Sequence, residues 1–270
     1  MRKIAYAFIM GLVSAWVLLP STACAAEPEI NIDDSASGRG KMVISCKTGN
    51  TKALKVLIVK GDKKYSYNLK NDGTAESFPL QMGDGDYKAS VLEKLKGDTY
   101  RYLESKVIRV ALESPDIVYL NSVQNIRWEP GNKAILKDRE LIGKEKAYDK
   151  KVNIIYQFLV KNFKYDYDKL ENLQSTYLPD IDATLKEKKG ICYDYSSLFA
   201  AMKRSEGVPT KLVKGYSTNV DGYHAWNEIK INGKWVIIDT TYDSCMYNGK
   251  SKIKYTMVKD PKDYKKVNEY

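Results

Sequence analysis

The chain has 270 residues, with 44 Lys and Arg against 34 Asp and Glu, a single histidine and a formal charge of +10. Its lysines are spread along the whole length and do not form a basic stripe with interleaved aromatics, which argues against a nucleic-acid partner and leaves loose attraction to an anionic cell envelope. Four cysteines are too few for a dense disulfide scaffold, and no motif calls for a metal or a cofactor.

Met1-Arg2-Lys3 is a short basic region, and Ile4 to Leu19 is an apolar run without charge. Pro20 to Ala26 follows with small residues, so residues 1–25 read as a secretory signal peptide cut after Ala25, with Ala23-Cys24-Ala25 as the cleavage site. A lipoprotein signal would instead place the cut before Cys24 and a lipid on its thiol, but Ser21 stands where that signal wants a Leu-like residue. Removing Arg2 and Lys3 takes the formal charge from +10 to +8. The expected product is secreted or associated with the cell surface and has no further membrane span. Cys46, Cys192 and Cys245 remain. An odd number leaves at least one thiol free or paired between chains.

Residues 26–39, rich in Ser, Gly and Asp, read as a flexible leader. Residues 40–115 switch to period two. "MVISCK", "LKVLIVKG", "KKYSYNLK", "DYKASVLEKL" and "TYRYLESKVIRVAL" are short strands, with "KNDG", "GDGD" and "KGD" as turns. That spacing predicts an all-β sandwich of immunoglobulin-like type. Asp84 and Asp86 lack the rest of a calcium loop and read as turn residues.

Residues 116–270 form the second expected domain. In "KKVNIIYQFLVKNFKYD", Val152, Ile155, Tyr156, Leu159, Val160 and Phe163 recur at helical spacing. A second helix carries Tyr195, Leu198, Phe199 and Met202 as its apolar stripe and ends at Gly207 and Pro209. Cys192 lies at its start, after Gly190, where unpaired N–H groups and the positive end of the helix dipole favour a thiolate. Asp194 in the same turn suits that helix end with or without a role in the site.

The one histidine, His224, lies in "GYHAWNEIKINGKWVIIDTTYD". Asn232-Gly233 between two β-rich runs marks a two-residue hairpin turn. With Ile231 opposite Lys234, the register puts His224 opposite Thr241 and Asp239 opposite Trp226. His224 and Asp239 then share a face as diagonal neighbours, within reach of an imidazole–carboxylate hydrogen bond. Cys192, His224 and Asp239 thus present a nucleophile, its base and an orienting carboxylate.

Residues 145–243 resemble the transglutaminase-like superfamily, with its papain-like core, through "KGICYDYSSLFAAMKRSEGVPTKLVKGY", "YHAWNEI" and "WVIIDTTYD". A β-rich domain ahead of "YDKKVNIIYQFLVKNFKYDYDK" is similar to exported members from Gram-positive bacteria. The resemblance implies an α+β papain-like catalytic domain, with Cys192 as nucleophile, His224 as base and Asp239 as its partner. It implies acyl transfer on peptide or glutamine amide bonds through a Cys192 thioester. Water as acceptor makes a peptidase or amidase, the preferred expectation. A lysine amine makes a cross-linking transglutaminase, and a surface scaffold that keeps the fold without turnover is the third alternative. The backbone N–H of Cys192 supplies one oxyanion donor. Animal relatives use an upstream Trp as the second, but no Trp lies between Trp128 and Trp226, so Tyr177 is the candidate. Asp239-Thr240-Thr241 stands where many members have Asp-Pro-Thr, and the carboxylate is kept. Tyr223 and Trp226 are candidate substrate contacts, although Trp226, like Trp235, fits core packing as well. The expected partner is a peptide or protein, including cell-wall material.

Overall fold

The computed structural model describes residues 27–248 and 255–270; the predicted signal peptide, with Cys24, lies outside them. Seven strands come first: β1 (Glu29–Asp33), β2 (Lys41–Lys47), β3 (Leu54–Lys60), β4 (Lys63–Leu69), β5 (Glu76–Pro79), β6 (Gly85–Lys94) and β7 (Tyr100–Val110). They form two antiparallel sheets, in the orders β1-β2-β5 and β4-β3-β6-β7. Alternation explains the layering. Met42, Ile44 and Cys46 of β2 and Leu54, Val56 and Ile58 of β3 all point into one core between the sheets. At the start of β6 the Tyr87 hydroxyl turns back on the preceding corner, 2.8 Å from the Gly83 carbonyl and 3.0 Å from that of Leu80.

The flexible leader is corrected in part. Glu29–Asp33 is a strand, with Ile32 opposite Ile44, and a short 3-10 turn spans Ser37–Arg39. Ile30 and Ile32 turn toward the core on alternate positions, a signal of only two residues inside a polar stretch.

The second part contains α1 (Lys133–Ile142), α2 (Tyr148–Asn162), β8 (Lys164–Tyr165), α3 (Tyr167–Glu171), α4 (Ile181–Glu187), β9 (Lys189–Gly190) and α5 (Cys192–Ser205). After these come β10 (Thr210–Ser217), β11 (Val220–Ile231), β12 (Lys234–Ile238), α6 (Thr240–Asn248), β13 (Val258–Lys259) and β14 (Tyr264–Glu269). Strands β13-β12-β11-β10-β14 make one antiparallel sheet, and β8 pairs with β9 in parallel. Leu198 and Phe199 of α5, Ile155 and Leu159 of α2, Leu212 of β10 and Ile229 of β11 share one core. Burying each such side chain contributes about 1.5–3 kcal/mol.

α5 is more enclosed than an apolar stripe predicts. Ser197, Lys203 and Arg204 are buried as well, each with a polar partner. Ser197 donates to the Asn125 carbonyl at 2.9 Å, and Lys203 lies 2.9 Å from Asp138. Arg204 donates to the carbonyls of Thr210, Asn121 and Tyr270 at 2.8, 2.6 and 2.8 Å. A helix can be wrapped on all sides only if its polar side chains find such partners.

The two parts are stitched by the segment between them and by the last strand. Gln124 donates to the Asn68 carbonyl at 2.7 Å, Tyr119 donates to Glu269 at 2.6 Å, and Tyr270 packs against both cores. Among the described residues no helix is long and apolar enough to cross a membrane.

Candidate active site

The hairpin that carries the histidine folds as its turn dictates. Asn232 and Gly233 take φ of 50° and 77°, the left-handed pair that a tight two-residue turn needs. The register holds from Ile231–Lys234 to Asn227–Ile238. There the ladder stops, because the chain enters α6 at Thr240. Thr241 is therefore in a helix and not opposite His224, and Asp239 lies past the last pair instead of facing Trp226. Asp239 still reaches His224, with Nε2 to Oδ2 at 2.8 Å.

Asp239 has no exposed surface and its carboxylate is fully engaged. Oδ1 accepts from the Tyr242 N–H at 3.0 Å, which caps the first turn of α6, and Oδ2 also accepts from the Tyr264 hydroxyl at 3.0 Å. Burial alone would raise its pKa. The His224 charge and hydrogen bond, with those two donors, outweigh burial and hold it below the ordinary 3.8. His224 is 3% exposed. Burial pulls its pKa down, but the charge and hydrogen bond of Asp239, and then Cys192, push it up to about 10. With Nε2 committed to Asp239, Nδ1 is the nitrogen left for the sulfur.

Cys192 is the first residue of α5 and is half-buried. The preceding turn is held by Asp194, a buried carboxylate. It accepts from the Ile191 N–H at 2.9 Å, from Lys169 at 2.8 Å and from the Tyr177 hydroxyl. Gly190 permits this approach, since a Cβ there would lie 2.8 Å from the Asp194 Cβ. The Tyr177 assignment is thereby corrected: its only proton is spent on Asp194, so it has none for an oxyanion. Tyr165, at the end of β8, is the residue that sequence reasoning missed. Strand pairing sets it opposite Gly190, two residues before Cys192, and burial, then the charges of Cys192 and Cys245, push its pKa up and keep it protonated. The signal was present in "FKYD" at the end of the second-domain helix, but only the β8–β9 pairing carries Tyr165 to Cys192.

Of the candidate substrate contacts, Trp226 is corrected. It is 1% exposed, with its ring 6.2 Å from that of His224 and 5.0 Å from Tyr264, so it supports the imidazole from behind. Tyr223 is 51% exposed and packs edge-on against Tyr216 at 5.5 Å. Trp235 packs on Tyr119 and Lys211 in a separate cavity. A pocket of about 270 Å³ opens beside His224, lined by Tyr165, Tyr167, Leu170, Asp221, Tyr242 and Cys245 among others. Cys46, Cys192 and Cys245 are all free thiols. Cys46 sits in the sandwich core, where burial, then Glu93, push its pKa up to about 11. Among the described residues no group of three or more His, Cys, Asp or Glu is placed to hold a metal ion.

A thiol at a helix N-terminus beside a buried imidazole–carboxylate pair, on an α+β scaffold, defines a Cys-His-Asp triad domain. Residues 137–240 match the transglutaminase-like superfamily. The chain is 32% identical over 119 residues to the UPF0252 protein of Methanocaldococcus jannaschii, a match over 40% of this chain and 34% of that protein. It is 29% identical over 105 residues to kyphoscoliosis peptidase of Mus musculus, over 35% of this chain and 16% of that one. The chain thus spans about a third or less of these relatives' lengths. A solved structure of a candidate cysteine protease from Cytophaga hutchinsonii aligns with 80% of this chain and 72% of its own, at 17% identity and a TM-score of 0.41.

Proposed function

We propose that the protein is an exported cysteine acyl-transfer enzyme that opens peptide or glutamine amide bonds through a thioester on Cys192, with water as its usual acceptor. The observation that carries the reading is the 2.8 Å His224–Asp239 pair beside a thiol at the first position of α5. His224 holds its proton at neutral pH, so it faces the sulfur as the acid that a leaving amine needs. Sγ attacks the carbonyl carbon, the S–C bond forms, and the carbonyl electrons move to oxygen. The backbone N–H of Cys192 and the Tyr165 hydroxyl hold that oxyanion. As the C–N bond breaks, His224 gives its proton to the leaving amine. Water then enters, His224 takes its proton, and hydroxide displaces Sγ to release the acid.

Two features support an envelope setting. The signal-like start of the sequence fits export. The β1-β2-β5 and β4-β3-β6-β7 sheets, with Tyr87 bonded back to its corner, fit an immunoglobulin-like sandwich. The cross-linking alternative draws support from the pocket beside His224, where Tyr165, Tyr167 and Asp221 suit an incoming cationic amine. The test offers a glutamine-containing peptide library to the chain from Glu27 onward, with and without a labelled primary amine. Release of ammonia or cleaved peptide regardless of amine, lost in Cys192→Ala, is the expected result. Amine incorporation dominating at millimolar amine would reassign the acceptor. Binding of a partner unchanged by Cys192→Ala, with no turnover, would favour a scaffold.

A further inference from the structure

Several of the lysines that this fold encloses sit beside an acid. Lys203 lies 2.9 Å from Asp138, Lys211 3.0 Å from Glu269 and Lys169 2.8 Å from Asp194, and Lys259 pairs with Asp243. Lys214 has no such acid among the described residues. It is half-buried on β10, directly opposite Ala225 and so one position from His224 on β11. Among the described residues no carboxylate acts on it: burial pulls its pKa down to about 8, opposed only by the charge of Cys192. Its Nζ lies 3.5 Å from the ring centre of Tyr193, the residue after Cys192, and 5.5 Å from that of Tyr270. Across the ladder, Ala225 and Asn268 bring no charge. Beyond it the exposed Tyr216–Tyr223 pair extends the same two strands outward.

We infer that Lys214 determines substrate specificity: its ammonium receives a carboxylate carried by the acyl donor close to the carbonyl that Cys192 attacks. The substrate class is then an anionic peptide or acyl amide. The inference rests on Cys192 as the nucleophile. A cation that has lost part of its hydration and gained only aromatic faces benefits most from a ligand that brings an anion, through charge-assisted hydrogen bonds. Tyr193 and Tyr270 limit where the Lys214 stem can swing, so the ammonium stays beside the residue that follows Cys192.

The test compares mono-para-nitrophenyl glutarate with its methyl ester, two acyl donors that differ only in the free carboxylate. The quantity read is the ratio of their acylation rates within each protein. Wild type should prefer the anionic ester by about tenfold or more, Lys214→Arg should keep the preference, and Lys214→Met should bring the ratio to about one. The wild-type preference should fade as pH rises through about 8 and persist in the arginine variant. Cys192, Tyr193 and Tyr270 are the titratable groups that act on or stack against this position. An unchanged ratio in Lys214→Met, including equal loss with both esters, would overturn the inference and assign Lys214 to the thiolate or the oxyanion. A second arm titrates glutarate into the Cys192→Ala protein with and without Lys214→Met. Weaker binding in the double variant is expected, and equal binding overturns the inference. That arm needs no thiol chemistry, so an inert Cys192 would sink the proposed function while Lys214 was still judged.

Discussion

Asp239 caps α6 through Oδ1 and orients His224 through Oδ2, and substitution separates the two duties. Asparagine is as good an N-cap as aspartate, so Asp239→Asn should keep α6 and shift stability little through the cap. It removes the charge that holds the imidazolium, and turnover should fall by about 10⁴-fold. Wild-type turnover in that variant would reduce Asp239 to a structural cap. Tyr165→Phe should slow acylation by about 100-fold, the scale of one lost oxyanion donor. Alkylation of Cys192 by iodoacetamide, which builds no oxyanion, should continue; equal loss of both would point to a packing role. The same pair makes a statement about pH. His224 moves from an ordinary 6.5 to about 10, so folding favours its protonated form. Its contribution to stability is full below pH 6.5 and disappears as pH rises through 10. Asp239 runs the other way: its contribution is present above 3.8 and is lost as pH falls through its lower folded value. Urea unfolding should therefore show the gap between wild type and His224→Gln closing from pH 6.5 to 10. A gap constant over that range would mean the ring is neutral in the folded protein.

Among the elements, the start of α5 is the one whose local sequence serves the site most directly. Gly190 leaves room for Asp194, and Asp194 fixes Ile191 and with it the direction in which Cys192 leaves the turn. Gly190→Ala forces a Cβ to 2.8 Å from the Asp194 Cβ, a contact that has to be relieved by moving that turn. Acylation should drop by at least about tenfold, since misplacement by an ångström costs that much or more. Thermal unfolding should shift down by a few degrees, and wild-type acylation would show that the turn adapts freely. Much of this was legible beforehand. The Asn232-Gly233 turn set the β11–β12 register, and Gly190 and the period of α5 placed the thiol. What was not legible depended on tertiary contacts. Whether Tyr165 or Tyr177 lies near the sulfur is decided by β8–β9 pairing and by Asp194 taking the Tyr177 proton. Thr241 was misplaced because a strand pattern does not announce that its last residue will cap a helix. The strand Glu29–Asp33 was hidden because only two of its residues face the core.

At the scale of the molecule, Arg204 joins segments that are far apart in the chain. Its guanidinium donates to Thr210 at the start of β10, to Asn121 in the connection from the sandwich and to Tyr270 after β14. Burial lowers its pKa to about 9, opposed by the charge of Tyr119, and its desolvation is offset by these three backbone oxygens. Methionine fills similar volume without a donor and leaves the Thr210 and Asn121 carbonyls without that partner, while the Tyr270 oxygen keeps the Leu212 N–H at 3.1 Å. At about 1–3 kcal/mol for each unsatisfied group, Arg204→Met should cost roughly 3 kcal/mol or more. For a protein of this size that is about 6–12 °C in Tm. The loss should also loosen Tyr270, whose ring packs against both cores and lies 5.5 Å from the Lys214 ammonium. Proteolysis should then cut the connection around Asn121 sooner in the variant than in wild type, because the Arg204 bond tethers that segment to α5. If Tm moved by less than a degree and the cleavage pattern stayed the same, water or the neighbouring Asn121 side chain would be satisfying those carbonyls, and the coupling between the sandwich and the triad domain would have to run through Gln124 and Tyr119 instead.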